Sequence, residues 1–96
     1  MAKFVLIYSG GGMAETPEAQ EAVMQAWGAW FGTLGTNLTD MGNPFGAATT
    51  LGAGTATATG YSIITAASLE DATTLAKGCP ILEGGGSVHV HEALEM

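Results

Sequence analysis

The two histidines are the clearest candidates for chemistry in this 96-residue sequence. His89 and His91 are the only histidines, and both lie in the alternating segment SVHVHE. Alternate residues of a β-strand point to the same face, which places the two imidazoles on one side, roughly 7 Å apart along the backbone. Because histidine titrates near neutral pH, we expect one of them to act as an acid, a base or a ligand donor.

A metal held by both histidines would need a third ligand. Asp40 and Glu92 are the obvious candidates for that ligand. Histidines that line a cavity or only form hydrogen bonds need no third group. We therefore predict that the protein uses neither a metal nor another cofactor.

Asp40 completes the predicted catalytic set of His89, His91 and Asp40. It stands just before the turn-forming residues Gly42, Asn43 and Pro44. An aspartate in that position commonly accepts hydrogen bonds from the backbone of its own turn. As a base or anchor it would instead share a cavity with a histidine and exchange protons with it.

Three further residues are candidates for contacting a substrate: Tyr61, Trp27 and Asn43. Tyr61 begins an apolar segment and has a hydroxyl that needs a partner if it is buried, so it could line the same cavity as the histidines. Trp27 and Trp30 recur at helical spacing, which favours core packing over a stacking platform for the ring.

Two other features look chemical but favour structural roles. Gly10, Gly11 and Gly12 lie between a predicted strand and helix, but the lysine and hydroxyl residue of a phosphate-binding loop are absent. Cys79 follows a predicted helix, whose negative end would raise the pKa of the thiol and make it a poor nucleophile. We expect Cys79 to be a packed structural thiol.

The elements that must position these residues alternate in the order β, α, β, β, α, β. The segments KFVLIY, YSIITA and SVHVHE predict strands, and Leu38 to Met41 predicts a short strand that Phe45 to Leu51 resumes after a bulge. Thr16-Pro17 and Ser68 with Asp71 are helix-start signals. Gly28 and Gly32, inside the first helix, predict a close approach by another element.

That order predicts an α+β, ferredoxin-like fold: a βαββαβ antiparallel sheet with two helices on one face. We expect one domain spanning residues 1–96, with β-strand KFVLIY central in the sheet. The opposite sheet face would be left bare. A short chain without disulfides gains from burying such a face, so we predict a homodimer that closes into an α/β barrel.

Charge excludes several classes of partner. Nine acidic residues against two lysines give a formal charge of −7, and the chain has no arginine. This field repels nucleic acids and anionic membrane surfaces, so we predict neither as a partner. A neutral or cationic small molecule is the better ligand, because arginine's bidentate clamp for anions is missing.

The opening of the sequence and its single cysteine predict a cytoplasmic protein. The opening Met1 to Tyr8 has one lysine and an apolar run too short for a secretory or membrane-spanning segment. One cysteine cannot form an internal disulfide, which agrees with a reducing compartment.

Five segments resemble the YCII-related family of the dimeric α/β-barrel superfamily, over nearly the whole chain: MAKFVLIYSGGGM, AWGAWFGTLG, LTDMGNPFG, GYSIITAASLEDATTLAKGCP and GGGSVHVHEALEM. The resemblance implies a ferredoxin-like homodimer around a central cavity. Some relatives are credited with a histidine and aspartate pair whose histidine lies on the first helix. That helix contains no histidine here, so the pair cannot be transferred, and Asp40 matches only loosely.

Three functions fit these observations. The first is a cofactor-free, small-molecule-binding enzyme that uses histidine and aspartate acid–base chemistry in a cavity at the dimer. The second is a non-catalytic sensing or accessory dimer. The third is a cofactor-independent monooxygenase-like protein that orients an electron-rich substrate and excludes water.

Overall fold

A computed structural model describes residues 1–10 and 15–95 of the chain. They form a single four-stranded sheet and two α-helices in the predicted order. The elements are β1 (Ala2–Ser9), α1 (Pro17–Leu34), β2 (Leu38–Asp40), β3 (Ala58–Ala66), α2 (Leu69–Ala76) and β4 (Ser87–Ala93), with short 3₁₀ turns at Gly35–Asn37 and Pro80–Leu82.

The strand order is β2-β3-β1-β4, and all paired strands are antiparallel. This order follows when both βαβ crossovers are right-handed and place their helices on the same face. The prediction of an α+β ferredoxin-like fold is confirmed, and so is the central position of β1.

Both helices pack on one face of the sheet, where the core lies. Alternate side chains of β1, namely Phe4, Leu6 and Tyr8, are buried on that face. They join one cluster with Trp30 from α1 and Ala72 from α2. The Trp30 indole N–H also donates to the carbonyl oxygen of Leu75 at 3.1 Å, which ties α1 to α2.

The helices begin where the sequence signals them. The Thr16 hydroxyl accepts a hydrogen bond from the Ala19 N–H, and the Ser68 hydroxyl accepts one from the Asp71 N–H, both at 3.1 Å. Such caps satisfy N–H groups that have no partner inside the helix. Cys79 lies buried beyond the end of α2, and burial raises the pKa of its thiol to about 11. The interpretation of Cys79 as a packed thiol is therefore confirmed.

No helix of residues 1–10 and 15–95 packs on the second face of the sheet, and we call it the bare face. Val5 and Ile7 of β1, Ile63 of β3, and His89 and His91 of β4 point to it. The valines of β4 point the other way and pack against the core. The alternation read from SVHVHE therefore assigns the histidines to the correct face.

Two structural predictions are wrong. The segment Phe45 to Leu51 does not resume a strand. Between β2 and β3 the loop pairs with the sheet through one isolated β-bridge, from Pro44 to Gly60. No element packs closely on Gly28 or Gly32, since a Cβ added at either would meet nothing within 4 Å among the described residues.

Gly11 and Gly12 of the glycine run lie outside the described residues. In the described part of the chain, no helix combines the length and apolar character needed to cross a membrane.

Candidate functional site

A pocket of about 580 Å³ lies between α1, the ends of β1 and β3, and the loop that follows β2. We call it the α1 pocket. Its lining is almost entirely aromatic, aliphatic or backbone: Tyr8, Met24, Trp27, Gly28, Phe31, Met41, Gly42, Asn43, Pro44, Thr59, Gly60, Tyr61, Ser62 and Ile81. The volume falls within the range of pockets that hold small molecules, roughly 300–1,000 Å³.

Aromatic rings form the helix side of the pocket. Trp27 and Phe31 are four residues apart on α1 and share one face of the helix, with ring centroids 5.8 Å apart. The Trp27 ring meets the Tyr8 ring edge to face at 5.0 Å. Edge-to-face pairs are a favoured aromatic geometry, so these rings hold one another in place. Gly28 lies between them in sequence and also lines the pocket, but it contributes no side chain to the wall.

Two consecutive hydrogen bonds link Tyr8, Ser62 and Met41. The Tyr8 hydroxyl donates to the Ser62 hydroxyl oxygen at 2.7 Å, and the Ser62 hydroxyl donates to the Met41 carbonyl oxygen at 2.7 Å. Burial raises the pKa of Tyr8 to about 12, although the hydrogen bond with Ser62 acts in the opposite direction. The phenol therefore stays neutral across the physiological pH range.

The loop after β2 is held in place by its own turn. Oδ1 of Asp40 accepts a hydrogen bond from the Gly42 N–H at 2.8 Å. Gly42 has a φ of +74°, and a Cβ there would overlap the carbonyl oxygen of Tyr61. Only glycine fits this position, because it combines a left-handed backbone with close contact to β3. The turn carries Met41 and Asn43 into the pocket wall.

Backbone pairing and ring stacking hold the loop after β2 against the start of β3. The carbonyl oxygen of Asn43 accepts a hydrogen bond from the Tyr61 N–H at 3.3 Å, and the Phe45 N–H donates to Thr59 at 2.8 Å. The rings of Phe45 and Tyr61 stack with centroids 5.7 Å apart and planes inclined by 23°. These contacts attach the loop to the start of β3.

The six predicted site residues lie in three places. Tyr61, Trp27 and Asn43 line the α1 pocket. His89 and His91 are exposed on the bare face, opposite Ile7 and Val5 of β1.

Asp40 is exposed and does not line the pocket; its carboxylate caps the turn. It pairs with Ile63, which pairs with Val5, which pairs with His91. Three strand spacings therefore separate Asp40 from His91, about 14 Å. No proton can pass directly between them within one chain.

Several pocket residues were not among the predicted site residues, chiefly Tyr8, Phe31 and Ser62. The signal for Tyr8 was present: it is the one hydroxyl in the core-facing row Phe4, Leu6, Tyr8. A buried phenol needs a hydrogen-bond partner. The partner, Ser62, lies 54 positions away and becomes visible only once β1 is paired with β3.

No metal centre is built into the part of the chain that the structure describes. In residues 1–10 and 15–95, no group of three histidine, cysteine, aspartate or glutamate side chains could hold a metal ion. The α1 pocket itself is lined by no aspartate, glutamate, histidine or cysteine.

Fold and site together define an α+β ferredoxin-like protein with an apolar pocket of small-molecule size. No protein-family model matches the chain, and no curated protein sequence matches it. Among solved structures, it is similar to 5-chloro-2-hydroxyhydroquinone dehydrochlorinase (TftG) from Burkholderia phenoliruptrix AC1100, in complex with 2,5-dihydroxybenzoquinone. The two share 20% sequence identity with a TM-score of 0.58, over 97% of this chain and 95% of that one. This likeness establishes the shared fold.

Proposed function

We propose that the α1 pocket binds a small, uncharged ring compound. The observation that carries this proposal is a pocket of about 580 Å³ whose wall is aromatic and aliphatic, with Trp27, Phe31 and Tyr8 at its centre. Ligand sites of this kind combine an apolar wall with a few fixed polar groups. The residues of this wall that carry polar side chains are Tyr8, Asn43, Thr59 and Ser62.

The charge of the ligand follows from the charges of the protein. No acidic or basic side chain lines the pocket, and the chain carries a formal charge of −7 without any arginine. An anion would enter an apolar space with no cation to balance it, which costs several kcal/mol. A cation would lack a carboxylate partner in the pocket. An uncharged ligand meets neither cost.

The structural neighbour supports a small oxygenated ring compound as the ligand and does not bear on the ligand's charge. Its structure holds 2,5-dihydroxybenzoquinone, a small oxygenated ring compound. A six-membered ring with oxygen substituents would fit the α1 pocket, with its face against Trp27 and an oxygen near Tyr8. We propose only the class of ligand for this chain. Dehydrochlorination is the activity in the neighbour's name.

A calorimetric titration with 1-tetralol, a neutral fused-ring alcohol, tests the proposal. Replacing Trp27 by leucine removes the central ring, and we expect affinity to fall roughly three- to tenfold, since aromatic pairs contribute about 0.5–1.5 kcal/mol beyond their buried area. His89→Gln on the bare face is the matched control and should bind as the wild type does. Equal affinities in the wild type and Trp27→Leu would contradict the proposal.

We further propose that the chain is a YCII-related homodimer in which a second copy covers the bare face. Val5, Ile7 and Ile63 form an apolar strip across the two central strands, on a face that no helix of the same chain covers. A 96-residue domain has a small core and benefits from burying such a strip. Sedimentation at micromolar concentration should give the mass of two chains, and Ile7→Lys should give the mass of one. A monomeric wild type would contradict this.

Acid–base chemistry by His89 and His91 is the second candidate function, favoured by their adjacent positions on the bare face. Because Asp40 is about 14 Å from His91 within a subunit, a histidine–aspartate pair could form only between two copies. NMR titration of both imidazoles in the dimer tests it. Unshifted pKa values that are also insensitive to Asp40→Asn would contradict an acid–base role.

A further inference from the structure

The two hydrogen bonds beneath the pocket can run in only one direction. The second hydrogen bond ends at the Met41 carbonyl oxygen. This oxygen has no proton to donate, so Ser62 must be the donor to it. The single Ser62 proton is then committed, and Ser62 can only accept from Tyr8. Tyr8 must therefore donate its own proton to Ser62. The carbonyl at one end fixes the orientation of both hydroxyls.

This orientation determines what Tyr8 offers to a ligand. With its proton directed at Ser62, the Tyr8 oxygen can present only lone pairs to the pocket that it lines. If the direction of the hydrogen bonds were reversed, the Met41 carbonyl oxygen would lose its donor, at a cost comparable to that of one hydrogen bond. Tyr8 therefore behaves as a fixed acceptor, even though a tyrosine hydroxyl in water both donates and accepts.

We propose that the Tyr8–Ser62–Met41 chain makes the α1 pocket selective for ligands that donate a hydrogen bond, such as neutral phenols, alcohols or amines. Ligands whose only polar atom is an acceptor, such as quinone or ketone carbonyls, would place lone pairs against lone pairs at Tyr8. Phenolates would do so with a full negative charge. This inference rests on the proposed function and adds the polarity of the ligand atom that meets Tyr8.

The protonation of Tyr8 supports the inference. Burial raises the pKa of Tyr8 to about 12, so the phenol keeps the proton that it donates to Ser62. Tyr61, the other tyrosine on the wall, stacks on Phe45 and takes no part in the chain. Of the two tyrosines of the pocket, Tyr8 is therefore the one whose proton is committed to this pair of hydrogen bonds.

Two probes with one carbon skeleton test the selectivity: 1-tetralol, which donates and accepts, and 1-tetralone, which only accepts. The readout is the ratio of their dissociation constants, compared between variants so that intrinsic differences between the probes cancel. We expect the preference for 1-tetralol to fall roughly three- to tenfold in Tyr8→Phe, the effect of one hydrogen bond. Thr74→Val removes an exposed hydroxyl on α2, away from the pocket, and should keep the wild-type ratio.

Ser62→Ala separates the directional effect from a merely structural one. It frees the Tyr8 proton, which can then be donated to a carbonyl, so 1-tetralone should bind more tightly than it does to the wild type. Loss of packing alone would weaken both probes. If this variant does not fold, as judged by circular dichroism, the Tyr8→Phe comparison decides.

Two results would overturn the inference, and they differ in meaning. Binding of both probes, with one ratio shared by the wild type, Tyr8→Phe and Ser62→Ala, would refute the selectivity and leave the pocket as a binding site. Failure of the wild type to bind either probe would refute the proposed function itself, and the selectivity with it.

Discussion

Filling the pocket from Gly28 should block the ligand while stabilising the protein. A Cβ at Gly28 or at Gly32 meets nothing within 4 Å, and both residues are inside α1, but only Gly28 lines the α1 pocket. Leucine is better than glycine in a helix interior by about 0.8 kcal/mol. For a domain of this size that corresponds to a rise in Tm of about 3–6 °C. We expect this gain from both Gly28→Leu and Gly32→Leu.

Binding should separate the two variants. The Gly28→Leu side chain would extend along the aromatic wall next to Trp27 and reduce affinity for 1-tetralol at least tenfold, whereas Gly32→Leu should bind as the wild type does. Thermal unfolding by circular dichroism and calorimetric titration give the two quantities. Equal affinities in both variants would refute the assignment of the pocket. A fall in Tm for either variant would show that another surface, such as a second copy, packs on the helix there.

Three further outcomes follow from the geometry. Gly42→Ala should lower the free energy of unfolding by about 2–5 kcal/mol in urea, because alanine adds left-handed strain and overlap with Tyr61; a loss below 1 kcal/mol would contradict the turn's role. Trp30→Phe should cost about 1–3 kcal/mol, since Leu75 loses its indole donor; an unchanged denaturation midpoint would argue against this link between the helices. Folding raises the pKa of Cys79 from 9.0 to about 11 and that of Tyr8 from 10.0 to about 12, so the unfolded chain loses these protons first. The contribution of these two groups to the free energy of unfolding should be fully present below about pH 9 and should be lost as the pH rises from 9 to 12. A free energy of unfolding that stays constant over this range would contradict their burial.

The parts of the fold that depend on local chemistry could be predicted from the sequence. Thr16 and Ser68 cap their helices with contacts to residues three positions away, so each signal is complete within a few residues. The alternation in β4 likewise specified that His89 and His91 face away from the helices. Neither inference required knowledge of distant pairing.

The site depended on contacts between distant residues, and the sequence could not supply these. Tyr8 and Ser62 meet only because β1 and β3 pair in one register, and Met41 reaches Ser62 only because pairing shifts between Leu38 and Asp40. The predicted continuation of a strand at residues 45–51 failed for a related reason. That stretch is rich in alanine, threonine and glycine and lacks the apolar alternation that fixes a strand against a sheet.

The same dependence explains why the predicted site residues separate into three places, with Asp40 left to cap its own turn. Trp27, Asn43 and Tyr61 come from a helix, a loop and a strand that converge at one end of the sheet. The histidines belong to an edge strand and to the opposite face. Spacing along the chain gave the face of each residue but not the distance between elements.

Amide chemical shifts in an ¹⁵N-labelled sample, followed during titration with 1-tetralol, test the central claim most directly. We predict saturable shifts concentrated around the α1 pocket, at Trp27, Asn43 and Ser62, with the amides of His89 and His91 unmoved. Shifts centred on His89 and His91, or no saturable shifts at all, would contradict the account.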